Sequence, residues 1–468
     1  MVSLSPHAVV HLMGICGTGM GSLAGLLKSK GYRVQGSDQN IYPPMSHQLE
    51  KWEIPVLIGY KAENLLPAPD LVIVGNAISR GNPEVETLLQ SDIPYLSFPQ
   101  AIAEFFLPGK DSLVVAGTHG KSTTSAFLAH LLKSAGLQPG YLIGAVPKKS
   151  NNFELGEGKH FVIEGDEYDT AFFDKKSKFL HYQPTGVLLT SIEFDHADIF
   201  KNFHAVQQAF RELLRLIPPS GFLVACHDHP SVLEILSESP GKIITYGFHP
   251  EAQVRAENYS FSPQGCTFDL ILHGKKQGPF QNALIGKHNL QNTLGVIAVG
   301  LELELSLDQI RLALESFSGV RRRQEILANK QFMVLDDFAH HPTAITETIQ
   351  AVKSSYPNRR VLAVFEPRSN TSVRNYFQEE LAISLSLADQ VFIAPLHRLE
   401  KIPLSDRLDL EWVIETINQR GSKAFSAPIS RLEQEIQKSV RPDDLVLFMS
   451  NGGFDNLPYR IAEYTLSN

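Results

Sequence analysis

Apolar and polar positions along this chain repeat in blocks: a short β-branched run, a turn of glycine or polar residues, then a segment of helical periodicity. Residues 71–74, 161–163 and 186–189 are apolar runs of the kind that forms strands buried on both faces, and 8–15 (AVVHLMGI) is one interrupted only by His11. Runs 332–335, 361–365, 390–394 and 444–449 are largely apolar strand signals too and 32–35 (YRVQ) an alternating one, with helix-forming segments at 22–29, 126–133, 293–302 and from 344 onward. Strands alternating with helices predict an α/β fold of parallel sheets. Residues 220–284 are less legible, with two short strand signals and a hairpin-like stretch at 267–280.

The polar residues collect where strands end, the edge at which open α/β sheets bind ligands. Residues 114–125 (VVAGTHGKSTTS) pass from a strand through Gly117, Thr118, His119 and Gly120 to Lys121, Ser122 and Thr123 at the head of a helix. Glycines there let backbone N–H groups converge on phosphate oxygens, Lys121 is placed to reach the β and γ phosphates, and Ser122 to ligate Mg²⁺. A strict P-loop has a further glycine where this chain has Val115. Residues 14–21 (GICGTGMG) form a second phosphate-binding turn through Gly14, Gly17, Thr18, Gly19 and Met20, spaced unlike a dinucleotide fingerprint. Asp38 is placed to meet a ribose or a nearby polar group, and Asn76 and Ser79 lie in the loop after residues 71–74.

Glu164, Asp166, Glu167 and Asp169 gather at one strand end, an arrangement that calls for a cation or for solvent. His196 follows another buried run and is a candidate ligand of a second metal. Asn289 and Asn292, three apart, either point their amides at one ligand or cap a helix. Arg321, Arg322 and Arg323 stand at a domain boundary, where a guanidinium fork suits phosphate charge.

A chain of 468 residues exceeds one ordinary core, and at roughly 100 to 200 residues per domain three are expected. The divisions predicted are an N-terminal Rossmann-like domain at 1–108, a central P-loop ATP-binding α/β domain at 109–317 and a C-terminal Rossmann-like domain at 318–468. A net charge of −8 argues against general nucleic-acid binding, and no apolar run approaches the roughly 18 residues of a membrane span. Three widely spaced cysteines support neither a disulfide framework nor a zinc site, and the N-terminal stretch has no basic leader, so a cytoplasmic setting is expected.

Taken together, these motifs resemble the Mur ligase family, the ATP-dependent amide-forming enzymes of peptidoglycan metabolism, over the whole chain. Residues 14–21, 36–38 and 75–84 are similar to the members that load UDP-N-acetylmuramate. Residues 42–46, 172–178, 193–198, 336–343, 366–371 and 450–454 resemble the member that adds a recycled tripeptide more than the one that adds L-alanine. The resemblance implies ATP and Mg²⁺, with Lys121 on the phosphates, Ser122 and Glu164 on one Mg²⁺ and His196 on a second. It places His288, Asn289 and Asn292 by the nucleotide, Arg323 on the γ-phosphate, and Asp337 and His340 over ribose and adenine. Gly14, Gly17, Thr18, Gly19, Met20, Asp38, Asn76 and Ser79 would hold the UDP-sugar. Arg368, with Ser369 and Asn370, would meet the peptide, Arg368 gripping a carboxylate or forming a structural salt bridge. Arg211 stands where several relatives carry a carbamylated lysine, so none is expected.

The expected reaction joins UDP-N-acetylmuramate to L-alanyl-γ-D-glutamyl-meso-diaminopimelate through an acyl phosphate, in peptidoglycan recycling. Addition of L-alanine is the alternative, and a P-loop ATPase without ligation or a nicotinamide dehydrogenase the alternatives of other classes. Oligomeric state is not legible.

Overall fold

A computed structural model describes residues 4–41, 45–197, 199–397 and 402–467. Residues 42–44 of the stretch 42–46, and Asp198, lie outside the described residues. The strand and helix alternation resolves into three principal sheets.

The first contains β1 (Val9–Met13), β2 (Arg33–Asp38), β3 (Val56–Ile58), β4 (Leu71–Val74) and β5 (Tyr95–Ser97), all parallel in the order β3-β2-β1-β4-β5. Val10, Leu12 and every residue of β4 are fully buried, as their apolar runs require. The order reverses beside β1, so the glycine turn 14–17 and the loop after β4 open at the same edge.

The central sheet is built from β6 (Asp111–Ala116), β7 (Gly140–Leu142), β8 (Phe153–Glu154) and β9 (His160–Gly165). After a separate hairpin, β10 (Asp169–Ala171) and β11 (Asp174–Ser177), it continues with β12 (Gly186–Leu189), β13 (Phe222–Cys226), β14 (Lys242–Gly247), β15 (Val254–Ser262), β16 (Gly265–Leu272) and β17 (Lys275–Asn282). The order is β17-β16-β15-β14-β13-β12-β6-β9-β7-β8, so β6, which feeds the phosphate turn, lies between β12 and β9. Phe161, Phe179 and Phe210 are buried below it, each contributing about 1.5–3 kcal/mol.

The third sheet has β18 (Glu325–Asn329), β19 (Met333–Asp337), β20 (Val361–Phe365), β21 (Gln390–Ile393), β22 (Lys423–Ser426) and β23 (Leu445–Met449), ordered β18-β19-β23-β20-β21-β22 with only β18 antiparallel.

Several sequence expectations shift. The helices expected at 22–29, 126–133 and 293–302 begin earlier, at Thr18–Ser29, Lys121–Ser134 and Lys287–Glu302, because their first turns carry polar and glycine residues aimed at the sheet edge. The stretch 220–284 holds five strands, one more than two short signals and a hairpin supply, and most of β15 is solvent-facing.

The first sheet's layer docks firmly on the second. Asn152 donates to Ser22 Oγ at 2.6 Å, and Trp52 meets Phe153 edge to face. The β10–β11 hairpin carries Phe173 onto Tyr95 with Phe172 edge to face behind it, and Asp174 accepts from Ser97 and pairs with His181. Residues 172–178 therefore act as a strut between layers. The third layer joins through the segment before β18, where Lys148 N donates to Gly319 O and Arg321 N to Val146 O.

Candidate active site

The turn between β6 and the helix Lys121–Ser134 is shaped by its glycines. Gly117 and Gly120 have φ of 133° and 81°, and a Cβ on Gly120 would fall 2.7 Å from Asn292 Oδ1. Side chains at these positions are excluded by strain and by space. The turn is braced from β12's end: Thr118 N donates to Ser191 O, His119 N to Ser191 Oγ, and Thr190 Oγ1 to His119 O. The first-turn N–H groups of the helix, at Lys121, Ser122 and Thr123, lack intrahelical partners and point out of its N-terminus.

Lys121 Nζ donates to Gly117 O at 2.7 Å and to Glu167 Oε2 at 3.0 Å. Burial works against its charge, but Glu167, Asp166 and Glu164 more than offset this and raise its pKa. Ser122 Oγ donates to Glu164 Oε1 at 2.7 Å, and Gly144 N to Glu164 Oε2 at 2.8 Å. Burial and the neighbouring Asp166 push the Glu164 carboxyl up. A hard divalent cation beside the Ser122 hydroxyl would relieve that penalty, so the donor set fits Mg²⁺.

Of the other carboxylates, Asp166 pairs with Lys178 at 3.2 Å and Asp169 with Lys175 at 2.7 Å. Glu167, which the sequence reading did not single out, is the inward one. It is 2% exposed and lies 3.6 Å from His196 Nε2 as well as against Lys121. No periodicity signals which of four carboxylates turns inward. His196 sits at φ 53° and packs on Tyr168. Arg211 engages Glu238.

Asn289 and Asn292, expected by one ligand, have different neighbours in the structure. Asn292 lies against Gly120, whereas Asn289 Nδ2 donates to Ile285 O and to Gln324, joining the helix to the segment entering β18. Capping does not account for Asn289, since its amide donates where a cap accepts. His288 keeps a buried Nδ1 without a hydrogen-bond partner.

The three arginines separate. Arg321 is exposed, and Arg322 is bound to Asp336, Ser450 O and Gly452 O inside the third layer. Arg323 stacks on Phe338 at 4.7 Å, and its charge is felt by Asp337 and Glu164. Asp337 accepts from Gln324 N and Ala339 N, and His340 Nδ1 bonds Phe338 O.

Next to this group, His119 Nε2 lies 3.2 Å from Glu193 Oε2, which also accepts from Thr343 Oγ1 at 2.7 Å. The His119 and His341 rings sit 4.9 Å apart, and Asp195 accepts from Thr371 Oγ1 at 2.8 Å. Burial, then the nearby His119, pushes His341 down to about 4 against Asp195 and Glu193. Because the folded value lies below the ordinary 6.5, stability from neutral His341 is complete above about pH 6.5 and is lost toward pH 4, by up to about 3 kcal/mol. Urea unfolding between about pH 7 and about pH 4.5 should show this loss in the wild type and a flatter profile in His341→Asn.

In the first layer, Asp38 Oδ2 accepts from Cys16 N at 2.9 Å and Oδ1 from Asn40 N, so it holds the glycine turn's backbone. Gly14 N bonds Ser37 O and Gly17 N bonds Gly14 O, while Thr18, Gly19 and Met20 open the helix. Asn76 and Ser79 are exposed at the same edge.

At the end of β20, Glu366 is fully buried and accepts from Ser450 Oγ at 2.6 Å, with His397 Nε2 at 3.0 Å and Arg368 Nη1 at 3.5 Å. Arg368 is 40% exposed. Ser369 exchanges hydrogen bonds with Ser372, and Asn370 is exposed beside them.

This arrangement defines a three-layer α/β protein with a glycine-shaped strand-to-helix turn roofed by groups from its third layer. Residues 9–108 match the Mur ligase family catalytic domain, 115–300 the Mur ligase middle domain and 322–452 the Mur ligase glutamate ligase domain. The chain is 39% identical over 468 residues to the UDP-N-acetylmuramate–L-alanyl-γ-D-glutamyl-meso-2,6-diaminoheptandioate ligase of Escherichia coli K12, covering 97% of each. It is similar to the crystal structure of a murein peptide ligase from Psychrobacter arcticus (35% identity, TM-score 0.75, covering 98% of this chain and 99% of that one). A UDP-N-acetylmuramate–alanine ligase from Thermotoga maritima superposes with TM-score 0.82 at 26% identity, covering 99% and 100%. The chain belongs to the Mur ligase family and is an amide-bond-forming ligase. No helix among the described residues is long and apolar enough to cross a membrane.

Proposed function

We propose that the protein uses ATP and Mg²⁺ to join UDP-N-acetylmuramate to L-alanyl-γ-D-glutamyl-meso-diaminopimelate, in the cytoplasm. The observation that carries the reading is the convergence of Lys121, Ser122 and Glu164 with Arg323 of the third layer, in a chain whose full length parallels a ligase named for that tripeptide. The working division is 1–108 for the sugar nucleotide, 109–317 for ATP and 318–468 for the peptide.

A lactyl carboxylate is a poor acylating agent, because its charge repels an amine and its leaving group would be oxide. Its attack on the γ-phosphorus of ATP expels ADP and gives an acyl phosphate. A neutral amine then attacks the carbonyl carbon, and the tetrahedral intermediate expels phosphate as the amine's proton is lost. Ser122 and Glu164 would hold one Mg²⁺ and His196 would offer a second site, and the metal would supply charge neutralisation on the phosphates. The chain's own residues position and shield: the turn's N–H groups and Lys121 hold phosphate oxygens, Arg323 meets the transferring group, and closure of the third layer excludes water. His288, Asn292, Asp337 and His340 line the nucleotide's surroundings. Gly14, Gly17, Thr18, Gly19, Met20, Asp38, Asn76 and Ser79 form the sugar-nucleotide edge.

Substrate labelled with ¹⁸O in the lactyl carboxylate should release phosphate carrying one ¹⁸O, and unlabelled phosphate would contradict the acyl-phosphate route. Arg368, half-exposed and oriented by buried Glu366, is assigned to a peptide carboxylate with Ser369 and Asn370 beside it. Arg368→Ala should raise the peptide KM by about 10- to 100-fold, with the ATP KM unchanged in steady-state assays.

A further inference from the structure

Glu193 is a partly buried meeting point of two layers, 27% exposed, that the reaction chemistry leaves unused. It leaves the central sheet just after β12, and its Oε2 accepts from Thr343 Oγ1 at 2.7 Å and lies 3.2 Å from His119 Nε2. His119 belongs to the phosphate turn, whereas Thr343 opens the third layer's helix Pro342–Ser355. Thr118 Oγ1 accepts from Glu193 N at 2.8 Å, so the turn grips Glu193 through backbone as well as side chain. Two residues on, Asp195 takes the hydroxyl of Thr371, a second carboxylate–threonine contact across the same boundary.

Burial disfavours an ionised Glu193, yet the hydrogen bonds from His119 and Thr343 and the nearby histidines hold it down to about 2. The carboxylate is therefore a charged acceptor, for which each bond is worth more than a neutral one. His119, Glu193 and His341 also have the donor types of a transition-metal site. However, Oε2 already has two protein partners, so hydrogen bonding alone accounts for the cluster.

We propose that Glu193 is a positioning residue that couples the phosphate turn to closure of the peptide-binding layer, with His119 sensing the turn and Thr343 carrying the closing contact. A filled turn fixes His119 and Glu193, and Glu193 fixed in place captures Thr343. The inference rests on the assignment of ATP to the phosphate turn and adds to it a reason why nucleotide should bind before the peptide pocket forms.

The test uses the full chain with cysteines replacing Lys275 in the central layer and Glu415 in the third, both exposed; native Cys16, Cys226 and Cys266 are buried, so dyes attach at the introduced sites. Energy transfer is read with and without Mg²⁺ and a non-hydrolysable ATP analogue, with no other substrate. The wild type should close on adding the analogue. Thr343→Val, which keeps shape and removes the hydroxyl, should lower the closed-to-open ratio about tenfold, the worth of a hydrogen bond to a charged acceptor. Its kcat should fall and its nucleotide affinity should weaken by no more than the same tenfold, because closure and nucleotide binding are linked, while its melting temperature without nucleotide stays at the wild-type value, a split that a purely structural role would not give. Combining it with His119→Ala should cost less than the sum of the two, since both act through Glu193. Wild-type closure in both Thr343→Val and Glu193→Ala, with the analogue bound, would overturn the latch and leave the ligase reading standing. Failure of the wild type to bind the analogue would instead remove the nucleotide assignment beneath it.

Discussion

Lys121→Met should reduce ligation by on the order of a thousandfold, because it removes the one lysine that the phosphate turn holds beside its own N–H groups. The side chain is 11% exposed and its partner Glu167 2%, so the substitution also strips a buried carboxylate of its lysine and leaves it only His196 at 3.6 Å, at about 3–5 kcal/mol. That second effect could pass for the first. The double variant Lys121→Met with Glu167→Gln separates them: denaturant unfolding should show most of the stability restored, while turnover stays lost. Recovery of turnover along with stability would mean that Lys121 serves the fold and not the phosphates.

Arg323→Lys should lower kcat by about a thousandfold with little change in melting temperature, the loss expected when a guanidinium facing a transferring phosphoryl group is replaced by a point charge. Arg323 stacks on Phe338, and Asp337 and then Glu164 of the central layer are the carboxylates that favour its charge. The neighbouring Arg322→Lys should behave in the opposite way. Its guanidinium ties Asp336 to two carbonyl oxygens of the loop after β23, so its loss should cost about 1–3 kcal/mol of stability. Paired kinetic and thermal measurements on the two variants would expose any exchange of roles.

The contrast between these arginines marks what could be read before the fold was known. The phosphate turn was legible because strand, glycines, lysine and helix follow one another locally, and the structure keeps that order from β6 into Lys121–Ser134. Strand ends as ligand-bearing edges were legible too, since apolar runs announce where each strand stops. Three consecutive arginines carry no local sign of which faces the nucleotide and which pins a loop; only the tertiary path through φ 56° at Arg322 separates them.

Glu167 was hidden in the same way among four acids, and Glu193 because its partners lie 74 and 150 residues away. Asn289 and Asn292 show the limit of spacing as a guide. Residues three apart share a helical face, but one side chain meets the turn and the other the approach to β18. Strand β15 is weakly signalled in the sequence because most of it faces solvent, which removes the apolar pattern that marks a buried strand.

The most direct test of the proposed reaction is phosphate release by the purified protein with ATP, Mg²⁺ and UDP-N-acetylmuramate, comparing L-alanyl-γ-D-glutamyl-meso-diaminopimelate with L-alanine and weighing the product by mass spectrometry. Turnover with the tripeptide, yielding the UDP-N-acetylmuramoyl tripeptide, and none with L-alanine is the predicted result. Turnover with L-alanine alone would contradict it and assign the third layer to a single amino acid.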